Sequence, residues 1–235
     1  MKERPILFNG EGVRAILDGR KAQTRRVIKP QPALWDFLDI MFLPRWTLYG
    51  ETWKSEGTMR EEAPLLCPYG ILGDRLWIRE TWSTDVDIDS YAREGELIPV
   101  HYRADPLPEG YEDEAHFLDV TGAEHWSPSI HMPRWACRVV LEVTGVRVER
   151  VQEIMVDDVA AEGTPGMIGG RYQCTRCNSN GWSYNYPDGC PYCDGTGLNH
   201  KEHYQRLWDS IYVKRGYGWD MNPWVWGIEF KMVHE

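Results

Sequence analysis

Apolar residues spaced three and four positions apart predict three helices along this chain. The first has Val13, Ile16 and Leu17 on its apolar side and ends near Gly19, where a residue in the left-handed conformation would terminate it. The second covers 151–162 and stops at Gly163. The third carries one continuous apolar stripe. That stripe consists of Tyr204, Leu207, Trp208, Ile211 and Tyr212.

Alternating and β-branched runs predict the strands in the middle of the chain. The turn signal Gly73-Asp74 leads into a core strand that has Leu76 and Ile78 on one face. The stretch 136–150 is rich in valine and predicts two strands separated at Gly145.

The remaining stretches give weaker signals, apart from the last segment of the chain. A short strand is expected at 100–102, whereas 33–66 shows no clean period and is expected to be irregular with some helix. In the closing segment 224–233, apolar residues occupy every second position, which predicts a long strand. Its apolar face consists of Trp224, Trp226, Ile228, Phe230 and Met232.

The segment 21–26 places a lysine, a hydroxyl and two arginines just after the end of the first helix. If the segment is extended, Lys21 and Arg25 point to one side, and Thr24 and Arg26 point to the other. A turn or bulge at Lys21 would instead bring Lys21 and Thr24 together. The pattern leaves both geometries open.

The charge of the chain limits its partners. The 235 residues have a formal net charge of −10, which argues against a protein that coats nucleic acid without sequence preference. Residues 1–30 are nevertheless basic, with eight lysines and arginines against three carboxylates. Such a patch fits a small anionic ligand or a short nucleic-acid segment, but also an ordinary solvated face balanced by neighbouring carboxylates.

Length and composition fit one domain with insertions or two small domains. We predict a single α+β domain over 1–235, in which 83–130 is an acidic, loop-like insertion. No apolar run approaches the ~20 residues that cross a bilayer, and the first residues lack the apolar core of a signal peptide. The protein is therefore predicted to be cytoplasmic, with no membrane partner.

Four of the six cysteines form two Cys-x-x-Cys pairs separated by twelve residues, an arrangement typical of one tetrahedral, structural zinc ion. They are Cys174, Cys177, Cys190 and Cys193. A redox pair or unliganded thiols are the alternative. The zinc-binding insertion 171–199 would staple a loop to the protein, or present aromatic residues to bases or to another protein. Cys67 and Cys137 are expected to be buried thiols.

Several motifs, in their order along the chain, resemble the ASCH domain family. They are Gly19-x-Lys21-x-x-Thr24-x-Arg26, the Gly73-Asp74 turn, the helix that ends at Glu162, and the closing strand Trp-Val-Trp-Gly-Ile-Glu-Phe-Lys at 224–231. The stretch 130–135, Ile-His-Met-Pro-Arg-Trp, is similar to ASCH-type proteins of phages and prophages. The resemblance implies a PUA-like β-barrel with flanking helices, a fold associated with recognition of RNA or modified bases.

One branch of that family hydrolyses N4-acetylcytidine, and the resemblance implies its catalytic set here. Lys21, Thr24 and Glu162 then stand for the catalytic lysine, threonine and glutamate. In that branch the hydroxyl attacks the acetyl amide, the lysine takes its proton and the carboxyl protonates the departing amine. Burial beside other cations would lower the pKa of Lys21 and suit it to this role. Arg26 or a backbone amide would stabilise the oxyanion.

A further group of residues is a candidate for ligand contact. His131 and Arg134 either touch the ligand or belong to a structural turn at Met132-Pro133, and Trp135 offers a face on which a base can stack. Glu162 gains weight as a functional residue because a carboxylate at the end of a helix opposes the helix dipole, so local stability does not explain it.

Three functions follow from these expectations. The first is an amidohydrolase that acts on an acylated, cytidine-like base. The second is a non-catalytic reader of RNA or modified DNA that uses the same pocket. The third is a phage accessory protein whose zinc insertion binds a host protein.

Overall fold

The computed structural model describes residues 1–35, 45–84, 99–107, 113, 114, 118, 125–163 and 200–233. The helices in these residues include α1 (Gly10–Leu17), α2 (Glu56–Glu62), α3 (Val156–Ala161) and α4 (His200–Tyr212). The strands are β1 (Glu3–Leu7), β2 (Gln23–Val27), β3 (Ala33–Trp35), β4 (Arg45–Leu48), β5 (Glu51–Trp53), β6 (Arg75–Arg79), β7 (Trp82–Ser83), β8 (His101–Tyr102), β9 (Val140–Arg150) and β10 (Trp224–Val233). The expected α+β class is confirmed.

The main sheet has five strands in the order β1-β6-β9-β10-β2. β1 runs parallel to β6, and the other neighbours are antiparallel. A flat sheet would separate the two edge strands by about 19 Å. Instead, Arg26 on β2 donates to the backbone oxygen of Leu7 on β1 at 2.5 Å. The sheet is therefore strongly curved, although within the described residues no backbone ladder joins β1 to β2.

The concave side of this sheet holds the larger apolar core. β10 contributes the alternating face predicted for it, and Trp224, Trp226 and Ile228 are almost completely buried there. Leu76 and Ile78 of β6 join the same core, as predicted. Cys67 is buried at its margin, and burial raises the pKa of its thiol to about 11, whereas Cys137 is only half-buried.

The opposite side of the sheet is covered by α3 and α4. Tyr204, Trp208 and Tyr212 of α4 pack there with Val225 of β10 and Val159 of α3. The helix predicted from the stripe in this segment is confirmed, but two members of the stripe have another role. Leu207 and Ile211 line a cavity instead of the core.

The strand pair predicted for 136–150 is in fact one strand. β9 continues through Gly145, and its register against β10 shifts between Glu229 and Phe230, which face Gly145 and Val143. A bulge accommodates the extra residue, Thr144, without ending the ladder. The glycine at 145 therefore marks an irregularity within a strand and not the end of one.

The described parts of the stretch 33–66, residues 33–35 and 45–66, are more regular than the sequence pattern indicates. β3, β4 and β5 form an antiparallel sheet, and α2 follows. Tyr49 and Gly50 join β4 to β5 with positive φ angles of 52° and 89°. Such a turn suits a tight hairpin, but tyrosine is an uncommon residue at a positive φ, so the sequence does not signal the hairpin.

Several expectations concern other parts of the chain. The short strand expected at 100–102 is present as β8, which pairs with β7. The zinc-binding insertion lies outside the described residues, as does most of 83–130. None of the helices in the described residues is long and apolar enough to span a bilayer.

Gly163 is the point at which three segments meet. It follows the end of α3 with a φ of +68°, and a Cβ added there would lie 2.7 Å from Lys21 Cβ and 2.9 Å from Ala15 Cβ. Gly19, at the end of α1, has a similar φ of +69° but no atom within 4 Å of an added Cβ. The two glycines therefore have almost the same positive φ but different surroundings.

This difference makes a matched pair of substitutions informative. Gly19→Ala is expected to cost about 1 kcal/mol of unfolding free energy, the strain of a left-handed residue. Gly163→Ala is expected to cost about 2–4 kcal/mol, because Lys21 or Ala15 must also move. Urea unfolding of both variants measures the difference. Equal losses would show that Gly163 is not packed against these two residues.

Candidate active site

Lys21 lies between α1 and β2, where the chain turns back over the end of the helix. The backbone N–H groups of Arg20 and Lys21 donate to Ala15 O at 2.8 and 2.9 Å. Lys21 then forms an antiparallel bridge with Glu162, and the N–H of Ala22 donates to Ala161 O at 2.8 Å. These contacts bring residues 21 and 162 together although they are far apart in sequence.

Lys21 and Glu162 form a buried ion pair. Lys21 Nζ donates to Glu162 Oε2 at 2.8 Å and to the backbone oxygen of Glu162 at 2.7 Å. The two side chains are 8% and 6% exposed. Glu162 caps the C-terminus of α3, as predicted. The ammonium also binds the carbonyl at this helix end, and a cation there offsets the unfavourable position of the carboxylate.

Arg25 supplies a second cation to Glu162. Its side chain is fully buried, and Nη1 donates to Glu162 Oε1 at 3.2 Å. Nη2 donates to Asp158 Oδ2 at 2.8 Å, and Nε forms an ion pair with Glu149 Oε1 at 2.7 Å that lacks hydrogen-bond geometry. Burial lowers the pKa of Arg25, but the surrounding groups, Glu162 first, outweigh it and raise the pKa overall.

The ion-pair network extends away from the cavity through Arg147 on β9. Arg147 Nη2 donates to Asp158 Oδ1 at 2.8 Å, and Nε donates to Glu149 Oε2 at 2.9 Å. Gln23 Nε2 donates to the same Asp158 oxygen at 2.8 Å, and Arg147 also binds Glu229. The network therefore fastens α3 to three neighbouring strands of the sheet.

A cavity of about 390 Å³ opens beside the Lys21–Glu162 pair. It is bounded by the start of α1, by β2, by the end of α3 and by α4. Its walls consist of Leu7, Phe8, Asn9, Glu11, Gly12, Lys21, Thr24, Arg25, Arg26, Glu162, Gly163, Tyr204, Leu207, Trp208, Ile211, Tyr212 and Arg215. Four cationic and two acidic side chains among these residues make the cavity positive in an otherwise acidic protein.

Thr24 and Arg26 reach the cavity from one face of β2, while Arg25 lies on the other. Thr24 is 5% exposed and pairs with Ile228 across the ladder. The ring of Phe8 lies close to two cations, with its centre 5.1 Å from Arg26 Cζ and 5.8 Å from Lys21 Nζ. Lys21 precedes β2, so its side chain is not bound by the alternation of that strand. Lys21, Thr24 and Glu162 accordingly line the same cavity.

The surroundings of Lys21 alter its acidity. Burial lowers the pKa of the ammonium most strongly, and the charges of Arg26 and Arg25 lower it further. Glu162 raises it through its charge and its hydrogen bond, but the net effect is a pKa below the ordinary value for lysine. A lysine of this kind loses its proton more readily than one in water.

The other candidate ligand-binding residues lie apart from this cavity. His131 is exposed in the 3₁₀ turn Ser129–His131. Arg134 forms an ion pair with Glu3 at 3.0 Å, and Trp135 packs edge-on against Trp82 at 5.8 Å between ring centres. None of these three side chains lines the cavity described above. Their role in ligand binding stays a prediction.

The predicted zinc ligands are not among the described residues. Cys174, Cys177, Cys190 and Cys193 all fall in 164–199, between Gly163 at the end of α3 and the start of α4. The zinc ion stays a prediction made from the spacing of the four thiols.

Several residues at the cavity were not predicted. The sequence pattern gives Arg25 a strand face but no role, and it does not connect Phe8 or Tyr204 of the cavity wall with Lys21. It also does not connect Asp158, which binds Arg25 outside the cavity. One feature of the sequence indicates that Arg25 is buried. Alternation in β2 places Arg25 on the same side as Val27, an apolar residue typical of a covered face. The aromatic residues of α4 gave no indication that this helix closes a cavity.

Comparison of the chain with protein-family models, with curated proteins and with solved structures found no match. The chemistry of the cavity is therefore inferred from its own side chains and from the resemblance carried by the motif at 19–26.

Proposed function

We propose that the protein is an amidohydrolase that binds an acylated, cytidine-like nucleoside in the cavity beside Lys21 and hydrolyses its acyl amide. The observation that carries the proposal is the convergence of Lys21, Thr24 and Glu162 on one cavity of about 390 Å³. These three residues supply a hydroxyl nucleophile, a proton acceptor and a group that orients the acceptor.

The shape and lining of the cavity support a nucleoside as the ligand. Its volume lies within the range of small-molecule sites, which is about 300–1,000 Å³. Phe8, Trp208 and Tyr212 provide aromatic surface for a planar base. The rings of Trp208 and Tyr212 are tilted by 32° to each other, with 4.2 Å between their centres. Arg26 and Arg215 offer donors to the polar edge of a base or to its sugar.

Thr24 is the nucleophile in this proposal. Its Oγ bonds to the acyl carbon while neutral Lys21 takes the hydroxyl proton, and the carbonyl electron pair moves to oxygen. Arg26 stabilises the resulting oxyanion from the cavity wall. When the oxyanion collapses, the C–N bond breaks, and the Lys21 ammonium gives its proton to the amine that leaves.

Water completes the reaction. Lys21 takes a proton from water as the water oxygen attacks the acyl-threonine ester. Lys21 then returns that proton to Thr24 Oγ when the ester C–O bond breaks. The products are the free amine and a carboxylic acid. Proton delivery is assigned to Lys21 and not to Glu162, because both Glu162 oxygens already accept hydrogen bonds from cations. Glu162 orients Lys21.

The fold assignment is part of the same proposal. The curved five-stranded sheet and its flanking helices are consistent with a PUA-like barrel of the ASCH type, and the motifs occur in the order of that family. The position of Lys21 after the first helix, with Thr24 on the following strand, also supports the resemblance.

Removal of the proposed nucleophile or proton acceptor should abolish turnover. Thr24→Val and Lys21→Met are each expected to lower the release of acetate from N4-acetylcytidine at least about 100-fold, the usual contribution of such groups. Thr24→Ser is expected to keep measurable activity because it retains a hydroxyl. Initial rates of acetate formation measure all three effects.

Thr47→Val is the matched control for the loss of a threonine hydroxyl in a strand. Thr47 lies on β4 and its Oγ donates to Ala33 O at 3.4 Å, away from the cavity. Its activity should equal that of the wild type. Wild-type rates in folded Thr24→Val and Lys21→Met would rule out this site.

A non-catalytic reader is the second candidate, and one observation favours it. Lys21 Nζ uses two of its three donors on Glu162, at 2.7 and 2.8 Å, which favours the charged ammonium. A lysine that stays charged binds an acceptor and cannot take a proton. The protein would then bind the modified nucleoside or a nucleic-acid segment containing it without turnover.

Binding by this cavity should depend on the charge of Arg26 in either case. Arg26→Ala is expected to weaken the affinity for acetylcytidine about 10- to 100-fold, the effect of losing one charged hydrogen bond. Titration calorimetry with Thr24→Val as the parent separates binding from turnover. If the ligand is a nucleic-acid segment, its affinity falls with added salt, and less steeply in Arg26→Ala. Unchanged affinity in Arg26→Ala would place the ligand elsewhere.

A further inference from the structure

The fully buried side chain of Arg25 has no role in the catalytic set implied by the resemblance, yet it touches the group that holds Lys21. We propose that Arg25 is a positioning residue for the hydrolysis. Because Arg25 binds one oxygen of the Glu162 carboxylate, it leaves Lys21 a single carboxylate oxygen and fixes the ammonium at the cavity wall. This inference rests on the proposed function and assigns a further residue to it.

The two carboxylate oxygens of Glu162 bind different cations. Oε2 accepts from Lys21 at 2.8 Å, and Oε1 accepts from Arg25 at 3.2 Å. An ammonium on a flexible four-carbon stem has no fixed direction of its own. Without Arg25, both oxygens of Glu162 would be open to Lys21. Arg25 therefore restricts the geometry of the ion pair.

Arg25 is suited to this task because it is itself held on its far side. Its planar guanidinium also meets Asp158 at 2.8 Å and Glu149 at 2.7 Å. A planar guanidinium that contacts three carboxylates is held in one orientation. The guanidinium of Arg25 in turn fixes the orientation of the Glu162 carboxylate. A lysine at this position would offer a point charge on a flexible stem instead.

The charges around Lys21 give the direction of the expected effect. The titratable and charged groups that face Lys21 or share its cavity come from four elements. They are Glu162 on α3, Arg25 and Arg26 on β2, Glu11 on α1, Tyr204 and Tyr212 on α4, and Arg215 after α4. Arg25 and Arg26 lower the pKa of Lys21, and Glu162 raises it. Removal of Arg25 takes away a positive charge near the Lys21 ammonium and leaves both oxygens of the Glu162 carboxylate to Lys21. Both changes raise the pKa of Lys21.

Arg25→Met tests the proposal through the pH dependence of the reaction. A general base works in its neutral form, so a higher pKa of Lys21 moves the rise of kcat/KM to higher pH. We expect that shift, together with a loss of about tenfold or more in kcat at neutral pH and a smaller change in KM. NMR titration of the Lys21 side chain measures its pKa without any turnover.

Arg147→Met is the matched control. Arg147 shares Asp158 and Glu149 with Arg25, and no contact between it and Glu162 occurs in the described part of the chain. Its replacement also removes a half-buried arginine from the same network. We expect lower stability but the wild-type pH profile and the wild-type titration of Lys21.

Two further variants keep the test decisive if Arg25→Met does not fold. The double variant R25M/E149Q removes one charge of each sign and so keeps the net charge of the network. Arg25→Lys keeps the positive charge but loses the planar fork, so its pH profile should lie between those of the wild type and Arg25→Met.

The outcomes separate this inference from the proposed function. A wild-type pH profile and wild-type Lys21 titration in any folded Arg25 variant would overturn the positioning role, because a merely structural arginine alters stability alone. If the wild type releases no acetate, the proposed hydrolysis fails. The titration of Lys21 in the Arg25 variants still decides whether Arg25 controls Lys21.

Discussion

The burial of two cations, Lys21 and Arg25, is the constraint on which the candidate site depends. A buried charge is tolerated only when it is paired and hydrogen-bonded, and loss of one partner of such a pair typically costs about 3–5 kcal/mol. Here the partners come mainly from α3, which carries Asp158 and ends at Glu162. The position of α3 against the sheet is therefore dictated by charge as well as by the packing of Val159.

The same pairing creates the cavity. Because Glu162 holds Lys21 at the end of α3, and Gly163 lets the backbone pass within contact distance of Lys21 and Ala15, the space between α1, β2 and α4 stays open beside the ion pair. Thr24 enters it from the opposite face of β2 to Arg25. A threonine hydroxyl, a lysine of lowered pKa and aromatic walls therefore line one cavity, and this combination is the basis for proposing acyl transfer.

Much of this arrangement follows from local sequence rules. Gly19 predicts the end of α1, the alternation at 224–233 predicts the inner face of β10, and the motif at 19–26 indicates the site. The rest depends on tertiary contacts. Val27 indicates that the Arg25 side of β2 is covered, but strand alternation does not say which element covers it, so the contacts of Arg25 with Asp158 and Glu162 of α3 cannot be predicted. The hairpin at Tyr49 and the bulge opposite Glu229 depend on backbone conformations that their residues seldom signal.

We propose that the cavity is an acyl-transfer site with Thr24 as the nucleophile. Mass spectrometry of the protein, acid-quenched during turnover of N4-acetylcytidine and then digested, can detect the acyl-enzyme. We expect one acetyl group on the peptide that contains Thr24, located on Thr24 itself and absent from Thr24→Val. Release of acetate by Thr24→Val at the wild-type rate, with no acetyl group on Thr24 of the wild type, would contradict it.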